Sequence, residues 1–270
     1  MIVNGEEERR KLALLFFKRM EDAYSKKVNG FHWDAIDWKY MLRPSEVEAS
    51  EFTKIFTTFK NKPIIPRTLN QEKFAQSLKN NYITFAMGPA GTGKTFLSIA
   101  YACRLLQTGE VEKLILTRPA VEAGESLGYL PGDLVQKVNP YMRPIYDSLN
   151  TCIGFEKTQE LLSSNKIEIA PIAFMRGRTL NDAFILLDEA QNCTLSQLKM
   201  FLTRFGKNSK MSIAGDISQI DLEAGKSGLE KTIEILRNED EIGLIEFTKE
   251  DITRHPIVEL IVRKFEEIGS

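Results

Sequence analysis

Apolar positions change their period several times along the chain. Within residues 7 to 28, Leu12, Leu15, Phe16 and Ala23 fall at three-to-four spacing among charges, which predicts an amphipathic helix. Glu46 to Lys60 predicts a second helix. Lys62-Pro63-Ile64-Ile65-Pro66 is stiff and non-helical, and it separates a helical N-terminal extension, residues 1–61, from a core that begins at residue 62. In the core, short apolar runs alternate with helical periodicity. Tyr82 to Met87, Lys113 to Thr117, Ile167 to Ala170, Ala183 to Leu187, Met211 to Ala214 and Ile242 to Phe247 read as strands. A short helix after Thr68-Leu69-Asn70-Gln71, with Asn70 as its cap, and helices over Lys94 to Gln107, Leu195 to Phe205, Ser227 to Leu236 and Pro256 to Ile268 fill the intervals. Strands that are apolar throughout, such as Lys113 to Thr117, are buried on both faces of a parallel sheet. The alternation predicts an α/β fold, a central parallel sheet with helices on both sides. Between Ala120 and Leu149 the pattern breaks into a long, irregular insertion punctuated by Pro131, Pro140 and Pro144.

Composition narrows the class. Hydrophobic residues at 43 % and charged residues at 27 % fit a soluble globular protein of one large domain, or one domain and an appendage, for 270 residues. The net charge of −1 gives no overall field for nucleic acid, so such a contact needs a local patch. Cys103, Cys152 and Cys193 are far apart and outside metal-ligand spacing, as buried thiols of a reducing compartment would be. The first residues place acids where a signal peptide is basic and then apolar, and Leu12 to Phe17 is too short to cross a bilayer. The expectation is a cytoplasmic protein with no membrane partner.

The strand Tyr82 to Met87 runs into Gly88-Pro89-Ala90-Gly91-Thr92-Gly93-Lys94-Thr95, with a helical pattern after it. This is a phosphate-binding loop in its proper strand-loop-helix setting. Its glycines let backbone N–H groups curl toward phosphate oxygens, and the helix N-terminus adds positive potential. Lys94 carries a mobile charge to the β- and γ-phosphates of a nucleotide, and Thr95 offers a hydroxyl to Mg2+.

A second strand, Ala183 to Leu187, delivers Asp188 and Glu189 at its carboxyl end, where open α/β sheets bind ligands. Asp188 is assigned to Mg2+, and Glu189 to the water that attacks the γ-phosphorus. Past a third strand, Gln219 is placed to sense the γ-phosphate, while Asp216 is either a further site residue or a turn-former after Gly215. Arg118, Arg176 and Arg178 lie near strand ends, where a guanidinium grips either the nucleotide or a nucleic-acid backbone. His255, before a proline at a helix start, reads as structural. Phe31, Trp33, Trp38 and Tyr40 have the chemistry to stack on bases, but Asp34 and Asp37 repel phosphate, and packing is the preferred reading.

From Ile64 to Val262 the chain resembles the PhoH family of P-loop ATPases, which are similar to the nucleotide-binding half of superfamily 1 helicases. The resemblance is carried by Thr68 to Gln71, the phosphate loop, Leu116 to Glu125, Leu127 to Gly132, Met175 to Thr179, Asp188 to Asn192, Gly215 to Gln219 and Asp251 to Pro256. It implies a RecA-like core, ATP binding and ATPase activity. It also implies adenine recognition by Gln71 and a phosphate-sensing or finger role for Arg254, acting from a neighbouring subunit of a ring. With one phosphate loop and too few residues after Ile220 for a second core, the chain is expected to self-assemble, as a homo-oligomer such as a hexamer, or to act as a simple ATPase. Three readings follow: an ATPase coupled to RNA or single-stranded DNA, a nucleotide-dependent switch for a protein partner, and a small-molecule kinase.

Overall fold

The computed structural model describes residues 54–119, 134–222 and 225–253. The helix over residues 7 to 28, the tryptophan-rich segment and the helix over Pro256 to Ile268 lie outside them. The first described elements are two short antiparallel strands, β1 (Phe56–Thr57) and β2 (Pro63–Ile64), with Phe56 opposite Ile64. The helix expected over Glu46 to Lys60 is therefore not formed at its described end. Residues 55–59 are Ile-Phe-Thr-Thr-Phe, β-branched and aromatic types that lose side-chain freedom in a helix and fit a pleat. Ile55 and Phe56 are buried in the core.

The remaining described strands and α-helices begin with α1 (Leu69–Asn80), β3 (Ile83–Met87), α2 (Lys94–Thr108), β4 (Lys113–Arg118), α3 (Leu134–Ile153) and α4 (Phe155–Ser163). They continue as β5 (Ile167–Pro171), β6 (Ala183–Leu187), α5 (Leu195–Leu202), β7 (Lys210–Gly215), α6 (Leu229–Leu236) and β8 (Ile242–Glu246). Six strands form one sheet in the order β5-β4-β6-β7-β3-β8, and every neighbouring pair is parallel. The α/β class read from the sequence is the class observed. All carboxyl ends share one rim, so the loop after β3 and the acids after β6 meet there.

Alternation along β6 divides the core. Phe184 and Leu186 face Tyr101 of α2 and Ile145 and Leu149 of α3, whereas Ile185 and Leu187 face Leu198 and Phe201 of α5 and Leu229 of α6. A strand buried on both faces has no polar position to give its period away, hence the continuous apolar run.

Three local expectations need correction. Thr68, not Asn70, caps α1: its Oγ1 accepts from the Gln71 N–H, and Asn70 instead donates to Asp251. The stretch expected to be irregular through Leu149 contains the 20-residue helix α3, which passes through Pro140 and Pro144. Proline removes a donor and costs about 3 kcal/mol in a helix interior. Here Met142, Ile145, Leu149 and Cys152 recur at three-to-four spacing and are all buried, and that face outweighs the loss. Finally, α4 follows at once from Gly154, which takes a positive φ of 84° at its N-cap, and no helix was expected there. The three cysteines are free and buried, as expected, and burial pushes the Cys193 thiol up to about 12.

Candidate active site

The phosphate loop leaves β3 at Gly88, with φ 132°. A Cβ there would collide with the Phe247 carbonyl oxygen and lie 2.8 Å from the Phe247 Cβ, so the loop's first glycine is fixed by close approach of the segment after β8. At its other end Gly93, with φ 86°, is the N-cap of α2 and makes no side-chain cap bond, leaving that helix end to a ligand. Lys94 Nζ lies across the loop and donates to the carbonyls of Gly88 at 2.6 Å and Pro89 at 2.8 Å. Burial pushes the Lys94 pKa down, and the nearby charges of Asp216, Asp188 and Glu189 push it back up. Thr92 Oγ1 closes the loop on the Pro89 carbonyl at 3.0 Å.

Next to the loop, Thr95 Oγ1 donates to Asp188 Oδ1 at 2.6 Å. Asp188 is 3 % exposed, and its N–H extends the sheet by donating to Thr117 O at 2.9 Å. Glu189 sits in the left-handed region at φ 56°, an uncommon conformation for a residue with a side chain and one that concentrates at functional sites. That turn aims its half-exposed carboxylate toward the cleft rather than down into the sheet. Arg118, at the end of β4, donates from Nε to Asp188 Oδ2 at 2.8 Å and from Nη2 to Glu189 Oε1 at 3.0 Å. Gln191 Nε2 holds Glu189 Oε2 at 2.7 Å and the Gln219 carbonyl at 3.1 Å, and Gln191 Oε1 accepts from the Asp216 N–H. Gln191 thus ties the loop after β6 to the loop after β7.

Asp216 forms the turn and also borders the cleft. Oδ1 accepts from the Ser218 N–H and hydroxyl, which makes the turn, while Oδ2 is buried with no partner. A cleft of about 260 Å³ brings together Ala90, Gly91, Gly93, Lys94, Thr95, Asp188, Glu189, Asp216 and Gln219. Gln71 stands apart, buried behind the loop, with Oε1 accepting from the Arg67 N–H and Nε2 donating to Thr92 O at 3.0 Å. Of the outlying arginines, Arg178 makes a bidentate pair with Glu168 at 2.6 and 2.7 Å, whereas Arg176 is exposed. Arg254 and His255 lie outside the described residues. The residue before them, Thr253, donates its N–H to Gly91 O at 3.1 Å.

Sequence reasoning missed Gln191 as the strut between loops and Arg118 as the partner of the acids. Gln191 follows Glu189 by two residues at a strand end, a spacing that was available but ambiguous. The Arg118 contact depends on β4 lying beside β6, which no local pattern encodes.

A family model described as PhoH-like protein matches residues 63–266. The chain belongs to the PhoH family. It is 45 % identical over 269 residues to a PhoH-like protein of Bacillus subtilis, covering 98 % of this chain and 84 % of that protein. A PhoH-like protein of Mycobacterium tuberculosis is 50 % identical over 230 residues, 84 % of this chain and 65 % of that relative. Protein PhoH of Escherichia coli is 44 % identical over 195 residues, 71 % of this chain and 55 % of that protein. Among solved structures, the Sulfolobus solfataricus SWI2/SNF2 ATPase core in complex with double-stranded DNA aligns with a TM-score of 0.44 at 13 % identity, over 74 % of this chain and 47 % of that one. That superposition is loose, and the fold assignment rests on the sheet order and the phosphate loop.

Proposed function

We propose that this PhoH-family protein binds ATP with Mg2+ and hydrolyses it, and that it couples hydrolysis to RNA or single-stranded DNA. One observation carries the hydrolytic part: Lys94 and Thr95 face Asp188 and Glu189 across a single cleft. The donors fit a hard cation. Thr95 Oγ1 and the Asp188 carboxylate are both oxygen ligands, 2.6 Å apart, and Asp216, whose buried Oδ2 has no hydrogen-bond partner among the described residues, borders the same cleft. Mg2+ takes one or two carboxylates together with phosphate oxygens, so no larger ligand cluster is required. When bound, it neutralises charge on the β- and γ-phosphates.

The chain's own groups do the rest. The loop glycines and the α2 N-terminus hold the phosphates, and Lys94 swings from the Gly88 and Pro89 carbonyls onto them. Glu189 accepts the proton of the attacking water, and Gln219 orients that water from the facing loop. Gln71 would read the adenine edge, as the family resemblance implies, by releasing the Arg67 N–H and the Thr92 carbonyl that its amide engages in this structure. A kinase would hold an acceptor hydroxyl where Glu189 stands, and the paired acids favour water instead. No helix among the described residues is long and apolar enough to cross a membrane, and the cytoplasm is the proposed compartment.

ATP turnover measured with a panel of RNA, single-stranded DNA and duplex DNA tests the coupling. A several-fold rise with single strands at low salt, lost as salt increases, is the expected result. Turnover indifferent to every nucleic acid but raised by a protein partner would replace this reading with the switch.

A ring in which Arg254 completes the neighbour's site remains the proposed assembly. The Thr253 bond to Gly91 supports a second arrangement, in which Arg254 serves the site of its own chain. Mixing inactive Lys94→Ala and Arg254→Ala proteins under subunit exchange separates the two. Restored activity in the mixture is expected for shared sites, and none for sites built within one chain.

A further inference from the structure

Asp188 and Glu189 put two negative charges at the end of β6, and Asp188 is almost wholly buried. A buried carboxylate without a counter-charge is costly. Lys94 does not supply one by contact, because its Nζ is turned to the loop carbonyls of Gly88 and Pro89. Among the described residues, the cation in contact with both acids is Arg118, 13 % exposed, with N–O distances of 2.8 Å to Asp188 and 3.0 Å to Glu189.

Between them, Thr95 and Arg118 engage both oxygens of Asp188, while Arg118 and Gln191 engage both oxygens of Glu189. A guanidinium is not deprotonated in proteins, so Arg118 cannot surrender its charge by titration and can only move. It has a tether for that movement. Nη1 donates to the Tyr141 carbonyl of α3 at 2.8 Å, on the side away from the acids. In this structure the side-chain partners of Arg118 are the two acids.

We propose that Arg118 is a resident counter-ion that neutralises Asp188 and Glu189 before a divalent cation arrives and withdraws toward α3 when one binds. The inference rests on the proposed reading of Asp188 as a metal-holding residue. It has a functional consequence. A divalent ion alone must displace Arg118 and binds weakly, whereas an ion arriving with nucleotide phosphates brings negative charge that offsets the displacement. Metal and nucleotide therefore load together, and Glu189 is freed to act as a base only in the loaded site.

Mn2+ binding without nucleotide, read by the loss of the free-ion electron paramagnetic resonance signal, tests this independently of turnover. Arg118→Gln is expected to bind Mn2+ at least about tenfold more tightly than the unmodified protein, the scale set by one charge within contact distance of a carboxylate. Its melting temperature should fall without metal and recover with Mn2+. Arg118→Lys keeps the charge but loses the fork, and should fall between the two. Asp188→Asn added to Arg118→Gln should cancel the gain.

Mn2+ bound no more tightly by Arg118→Gln, with Asp188→Asn still lowering affinity, would overturn the counter-ion and leave the metal assignment standing. Affinity indifferent to Asp188→Asn would instead remove the metal assignment beneath it. If Arg118→Gln does not fold, Arg118→Lys decides: unchanged or weaker Mn2+ affinity overturns the proposal.

Discussion

Replacing Lys94 by alanine is expected to abolish ATP turnover, by about 10³-fold or more, and to weaken ATP binding. The magnitude follows from removing a fixed donor aimed at developing charge, where a single group is worth about 10²–10³ in rate, and here the group is also a full cation on the phosphates. Lys94 is 8 % exposed and sits between the loop carbonyls and the acids of the cleft. Burial lowers its pKa, and the charges of Asp216, Asp188 and Glu189 oppose that shift. The folded state should tolerate the change. The ammonium's contacts in the structure are to the loop's own carbonyls and to Thr92, and truncation releases a buried charge. Phosphate release and nucleotide titration, with a melting curve as control, give the result. A folded variant that hydrolyses ATP at the unmodified rate would show that the loop does not serve catalysis.

Glu189→Gln should separate binding from chemistry. Turnover is expected to fall by roughly 10²- to 10⁴-fold, the range for a general base, with ATP and Mg2+ affinity retained. The substitution preserves size, and its amide oxygen can still accept from Arg118. It cannot also accept from Gln191, because one side of the new group is a donor facing the Gln191 Nε2. A modest loss of stability is therefore expected, and the melting curve measures it apart from the rate. If affinity for ATP and Mg2+ drops as steeply as turnover, Glu189 is a metal ligand or a fold residue and not the base.

What the sequence disclosed, and what it concealed, follows from how far apart the cooperating residues lie. The phosphate loop was legible because eight consecutive residues build it, and each glycine has a local reason to be glycine. Asp188 and Glu189 were legible because five apolar residues announce a buried strand and the acids end it. The helix α3 was not, because Pro140 and Pro144 are strong local signals, and the packing that overrides them involves α2, far away in sequence. Residues 55–59 misled for the opposite reason. Their apolar content suits a helix or a strand, and pairing with β2 decides between them. By its place at a strand end Arg118 reads as a phosphate-binding candidate, and only the adjacency of β4 and β6 brings it onto the acids.

The sheet order also governs how the protein is made. The strand that feeds the phosphate loop, β3, pairs with β7 on one side and β8 on the other, the last two described strands. Gly88 is moreover set against Phe247, just beyond β8. On the ribosome, β3 emerges early and must wait for both partners, on the order of ten seconds at ordinary rates of synthesis of about 5–20 residues per second. Throughout that interval an apolar strand has two open edges and nothing to pair with in its own neighbourhood. A chain truncated before β8 is therefore expected to leave one edge of β3 open and to aggregate more readily than the full chain.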